Sequence, residues 1–318
     1  MNKFLMGCCL LAALAVGAQQ SERLYFTAPL LYPEGVVYHP ERKLFYVSSV
    51  TTGTIGSVDN AGNYTPVLKD PALRSTFGMK VDPRNNRLLV CVSDPNHSKF
   101  STPETYKKMG RLIAVDLNTN KKIIDLNLAQ LAPGNHFIND LVVDDKGNAY
   151  ITDSYAAVVY KVDAGGKPSV FSRSEWFKSP DVGLNGIVYH PQGFLLAAHY
   201  TSGALFKIDS RNGNNVSKVK LNMLFPGADG LLLSGNNLVL VQNGGANKVY
   251  QISSTDNWLS AKVTGATATA ERLNYPTTLT MQEGSLWVLN AKLGELTDST
   301  VGPSKEFWLQ KTVFVPMQ

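Results

Sequence analysis

The chain has 318 residues, of which 44% are hydrophobic and 17% charged, with a mean hydropathy of -0.09; this globular composition excludes a disordered tail, a coiled coil and a collagen-like repeat. Lys and Arg number 30 against 25 Asp and Glu, a formal charge of +5. The basic residues are scattered rather than gathered in a run, so the sequence carries no nucleic-acid footprint.

At the start, Met1, Asn2 and Lys3 precede an apolar stretch from Phe4 to Val16, and Val16-Gly17-Ala18 supplies small residues ahead of Gln19. Residues 1–18 therefore read as a secretory signal peptide and 19–318 as one domain, secreted or periplasmic. No later apolar run reaches about 18 residues, so no membrane contact is expected after cleavage. Cys8 and Cys9 fall in the removed segment, which leaves Cys91 without a disulfide partner.

From residue 34 onward one pattern recurs: a small or polar pair, a short strand, a turn rich in Pro, Gly, Asn or Asp, and a second strand. Its six copies begin at Glu34-Gly35, Gly78-Met79, Asp140-Leu141, Gly186-Ile187, Gly230-Leu231 and Thr278-Leu279. The spacing is about 45 residues with one longer interval, the size of a four-stranded blade. Each copy is followed by a third alternating run: TIGSVD, RLIAVDL, VVYKVD, ALFKID, KVYQIS and FWLQKTVF. Five have a fourth: TPVLK, KIIDLNL, PSVFS, VSKVKL and SAKVTG. The sixth lacks one, and the strand-like piece Arg23 to Thr27 can supply it, closing the ring without an open edge. The expected fold is all-β, a six-bladed β-propeller of four-stranded blades closed by the N-terminal strand; large sandwiches leave six similar units unexplained.

Such a blade brings the residues before its first strand and after its second strand to one end of the central channel. The first set is Glu34, Phe77, Asn139, Asn185, Asp229 and Thr277; the second is Ser48, Ser93, Asp94, Asp153, His199, Tyr200, Asn243 and Asn290. Glu34, Asn139, Asn185 and Asp229 offer carboxylate or amide oxygens, a donor set that suits a hard cation. Ca2+ fits best, with another divalent cation possible, and the lack of a His pair or Cys cluster argues against zinc or copper. Singly, Asn139-Asp140, Asn185-Gly186 and Asp229-Gly230 read more readily as turn dipeptides than as ligands; their shared place in the repeat favours ligands. Asp140, Asp153, Tyr200, Asn243 and Thr277 are candidates for substrate contact. Two insertions, Pro95 to Gly110 and Arg173 to Leu184, fall on this face as lid elements or solvated loops. Of the five histidines, His39 and His190 occupy turns at the far end of their blades, and His97 in the insertion is uninformative. His136 and His199 stand near the expected pocket and could serve as a base, against the plainer reading of packed histidines. Asp153-Ser154 with His199 lacks a Gly-x-Ser-x-Gly elbow and is not a serine triad.

At Pro33-Glu34-Gly35, Asn139-Asp140, Asn185-Gly186 and Asp229-Gly230 the sequence resembles the calcium-dependent six-bladed propellers related to gluconolactonase and regucalcin, with the paraoxonases and the squid-type diisopropylfluorophosphatase more distant. The resemblance covers essentially the whole chain after residue 18 and implies that Glu34, Asn139, Asn185 and Asp229 surround a catalytic metal. Two features depart from that family. Glu34 is followed by Gly35-Val36-Val37-Tyr38 rather than a Gly-Pro-x-Trp-like stretch, and His136, Phe137 and Ile138 stand where an arginine often precedes the Asn-Asp pair. The expectation is a monomeric calcium-dependent hydrolase of a lactone or related ester, with Asp229 activating water or attacking and His199 or His136 assisting. The alternative is a non-catalytic propeller whose structural ion accompanies recognition of a glycan, peptide or small metabolite.

Overall fold

The structure, a computed structural model, describes residues 21–317, so the signal-peptide reading of 1–18 and Cys8 and Cys9 lie outside the described residues. Six antiparallel sheets are arranged in a ring. Blade 1 comprises Val36–His39, Leu44–Val47, Thr54–Asp59 and Tyr64–Lys69; blade 2 comprises Ser75–Asp82, Arg87–Ser93, Gly110–Asp116 and Lys122–Asn127. Blades 3 and 4 begin with inner strands Ile138–Val143 and Leu184–His190 and end with outer strands Pro168–Arg173 and Val216–Lys218. Blade 5 runs from Ala228–Ser234 to Ser260–Thr267. Blade 6 takes Pro276–Gln282, Ser285–Asn290 and Glu306–Lys311 from the end of the chain, and Arg23–Thr27 from its start.

That last pairing is the closure expected from the sequence. Tyr25 faces Trp308 and Phe26 faces Phe307 across an antiparallel ladder, and Phe26, Phe307 and Tyr32 form a buried aromatic contact under the seam. Between blades the core is built from alternate residues of the strands, as in the edge-to-face contact of Phe45 with Trp287 across blades 1 and 6. Beside the strands there are only short 3-10 turns among the described residues, and no helix long and apolar enough to cross a membrane. Cys91 is free and buried.

Two runs expected to be single strands are split. FWLQKTVF ends its ladder at Lys311, and Phe314–Pro316 pairs instead with the outer strand of blade 5. VSKVKL likewise breaks at the buried Val219: Val216–Lys218 stays in blade 4, while Lys220–Leu221 runs parallel to the outer strand of blade 5. Both strays cover the exposed edge of blade 5, whose unpaired backbone groups would otherwise face solvent. The far-end histidines are structural. His39 Nδ1 accepts the Arg42 N–H, and His190 stacks on Phe194 at 4.3 Å.

Candidate metal centre

The dipeptides that read as turns lie at bulges of the inner strands. Pairing shifts register between Ile138 and Leu141, between Leu184 and Ile187, and between Ala228 and Leu231. In each case two residues, Asn139-Asp140, Asn185-Gly186 or Asp229-Gly230, stand opposite one on the partner strand. A bulge of this kind locally breaks the ladder and re-aims a side chain, here toward the axis. In blade 1 the equivalent Glu34-Gly35 precedes the ladder, and both of its N–H groups donate to Ser48 Oγ, at 3.1 and 2.7 Å. Glycine follows three of the four donors, Glu34, Asn185 and Asp229, for a steric reason. A Cβ on Gly35 would lie 2.2 Å from the Phe77 carbonyl oxygen, and one on Gly186 would lie 2.2 Å from that of Asp229. Neighbouring inner strands touch at these points, so no side chain fits.

Glu34, Asn139, Asn185 and Asp229 are all buried and line one cavity of about 140 Å3 on the axis. Glu34 Oε2, Asn139 Oδ1 and Asp229 Oδ1 are buried without a hydrogen-bond partner among the described residues. Each such atom costs about 1–3 kcal/mol if left bare, and three on residues lining one cavity form a donor set that a cation could satisfy. The remaining atoms of these groups are tied. Asn139 Nδ2 donates to Ser154 Oγ at 3.0 Å, which turns Oδ1 away from Ser154. Asn243 Nδ2 donates to Asp229 Oδ2 at 2.5 Å, and the Tyr200 hydroxyl, donating to Asn243 Oδ1 at 2.8 Å, sets that amide's orientation.

Charge fits the same reading. Burial, then Asp229 and Asp140, push the Glu34 carboxyl well above the usual carboxylate range. Burial and Asp140 do the same to Asp229, opposed by the Asn243 and Asn185 side chains. Asp140 is raised by burial and eased by Lys80 and by the N–H groups of Leu141 and Ile187. Three acids facing one lysine leave a deficit that one divalent cation would balance. No group of three or more His, Cys, Asp or Glu assembles among the described residues, so an ion here depends on the two amide oxygens as well as on the two carboxylates. That oxygen set fits calcium.

Other expected site residues are placed differently. Tyr200 and Asn243 line the cavity, whereas Asp140, Asp153, Thr277, His136 and His199 do not. Both Asp140 oxygens accept backbone N–H groups, from Leu141 at 2.8 Å and Ile187 at 3.3 Å, so this residue braces blade 3 against blade 4. Thr277 Oγ1 donates to the Glu34 carbonyl at 2.8 Å and joins blade 6 to blade 1. Asp153 Oδ1 accepts the N–H groups of Phe137, Tyr155 and Ala156, while Oδ2 pairs with His136 Nδ1 at 2.8 Å. His199 Nδ1 accepts the Ser202 N–H, its ring lies edge-on to Phe206, and burial lowers its pKa. Strand alternation explains the split. Asp153 and His199 lie opposite Ile138 and Leu184 in the ladder and turn into the packing; in blade 4 the next position, Tyr200, turns to the axis, as Asn243 does after Gln242 in blade 5.

Residues that the repeat did not single out complete the cavity: Val50, His97, Phe137, Val182, Tyr275 and Leu293. His97 and Val182 come from the two insertions, which therefore do cover this face. The first insertion is anchored by the buried Asp94, whose carboxylate accepts the Ser101 and Thr105 hydroxyls at 2.5 and 2.6 Å. Burial lowers the pKa of His97, and Asp94 partly offsets this.

No protein-family model matches the chain, and no curated protein matches it. Among solved structures, the major allergen Mala s 1 of Malassezia sympodialis is 20% identical, with a TM-score of 0.73 over 92% of this chain and 96% of that one. A protein assigned as a gluconolactonase is 17% identical, with a TM-score of 0.61 and 94% of each chain covered. The fold is the six-bladed propeller of the gluconolactonase type. A luciferin-regenerating enzyme shares it at 14% identity and a TM-score of 0.63, over 92% of this chain and 96% of that one. At such identities a gluconolactonase-type propeller is a statement of architecture, and function has to be argued from the site.

Proposed function

We propose that the protein is a calcium-dependent hydrolase of a lactone or related ester, working at the axial cavity and acting outside the cytoplasm. The observation that carries this reading is the convergence of three bare, buried oxygens, on Glu34, Asn139 and Asp229, with Asn185 beside them. Those four residues would hold the ion, which when bound acts as a Lewis acid on a carbonyl oxygen. Asp229 is the group suited to move the proton. Its Oδ2 is held by Asn243, and Oδ1, which has no hydrogen-bond partner, would touch the ion and, from the same position, take a proton from water as the water oxygen bonds to the carbonyl carbon. The same proton then passes to the leaving alkoxide as the ring or ester C–O bond breaks. His136 and His199 take no part in this scheme, because neither lines the cavity.

The test replaces Glu34 by Gln and Asp229 by Ala and follows lactone and aryl-ester hydrolysis with calcium and with chelator. Loss of turnover by at least about 100-fold is expected for each variant and for the chelated wild type. Equal turnover in all cases would reject the mechanism. Calcium binding without hydrolysis would favour the non-catalytic propeller.

A further inference from the structure

Apart from the four oxygen donors and His97, Tyr200, Asn243 and Tyr275, the cavity wall is apolar. Phe77 and Phe137 meet edge to face at 4.8 Å, Tyr155 backs Phe137 at 5.4 Å, and Val50, Val182 and Leu293 lie around them. No Lys or Arg lines the cavity. Two cations stand outside the lining: Lys107 sits over the rings of Tyr106 and Tyr155, at 5.2 and 5.1 Å, and the charge of Lys80 acts on Glu34 and Asp140 without forming an ion pair with either. With Glu34, Asp140 and Asp229 set against Lys80 and one divalent ion, no positive charge is left over. A carboxylate on an incoming ligand would lose its water and find the His97 ring and tyrosine hydroxyls but no lysine or arginine to pair with. Space is limited too. The volume of about 140 Å3 compares with about 150 Å3 for an apolar cavity that takes a benzene ring.

We infer that this site selects a compact, uncharged acyl compound, a lactone or ester of about one ring, over one that carries a carboxylate. The inference rests on the hydrolase reading for its chemistry but on the walls and the charge balance for its selectivity. Phe137 is the wall residue to change, because it stands two positions before the donor Asn139 and faces the same cavity.

Matched pairs differing only by a carboxylate test the inference in the calcium-loaded protein: phenyl acetate against 4-acetoxybenzoate, and γ-butyrolactone against its 3-carboxylate. The uncharged member of each pair is expected to have a kcat/KM at least about ten-fold higher. Phe137→Arg should shrink or reverse that ratio, and Phe137→Leu should keep it. A second readout needs no turnover: saturating benzyl alcohol should raise the melting temperature by about 2 °C or more, and benzoate should not. If nothing is hydrolysed but benzyl alcohol alone stabilises, the hydrolase reading fails and the selectivity stands. Preference for the charged member in either readout, or no shift with either aromatic ligand, overturns the inference.

Discussion

Asp229 has one oxygen held and one left free, and the pair of residues that hold it, Tyr200 and Asn243, belong to different blades. Precision at that carboxylate therefore comes from the packing of blades 4 and 5 and not from Asp229 itself. Its raised pKa and that of Glu34 have a measurable result. Without calcium the native state keeps protons that the unfolded chain, with carboxyls titrating near about 4, has released. The native state thus binds more protons, and stability falls as pH rises from about 4 through the raised native values. Melting temperatures at pH 4.5, 6 and 7.5 should decline in chelator and level out in saturating calcium; a flat profile in chelator would contradict the assignment of buried, uncompensated acids.

The strand is the scale at which the sequence is most and least informative. The repeat announces the blades, and the donors at Glu34, Asn139, Asn185 and Asp229 are readable because they occupy one phase of it. What cannot be read is which of two consecutive residues turns to the axis once a strand has passed its bulge. Asp153 and His199 read as site residues for that reason, although in blades 4 and 5 Tyr200 and Asn243, one position past the last paired residues His199 and Gln242, take that place, and in blade 3 Ser154 does not line the cavity. His97 was unreadable for another reason: it enters the cavity from an insertion, and only the three-dimensional anchoring of that insertion puts it there. That anchoring predicts the effect of Asp94→Ala. Losing the acceptor for Ser101, Thr105 and the Asn96 N–H should free the segment 95–110 while the blades stay packed. Limited proteolysis should then cut within 95–110 at least ten-fold faster, and turnover should fall; unchanged cleavage would show that other contacts hold the loop.

For the whole molecule the joint in blade 6 matters most, since residues near the two ends of the chain complete one sheet. Phe26 is 2% exposed and packs on Phe307 and Tyr64. Phe26→Ala should cost about 3–5 kcal/mol, read by urea unfolding, because the joint loses a ring that nothing else replaces. A cost below about 1 kcal/mol would mean that the ring holds without its closing strand.

The joint also has a direction. Arg23 pairs with Gln310 at the end where both chain segments leave the ladder, and Thr27 pairs with Glu306 at the far end. Tension applied through residues 22 and 311 would load these pairs one after another, from Arg23 inward, so the barrel of blades should peel open at its seam under a small force instead of rupturing all at once. A molecule that holds its axial cavity rigid from within should therefore yield first, mechanically, at the seam between Arg23–Thr27 and Glu306–Lys311.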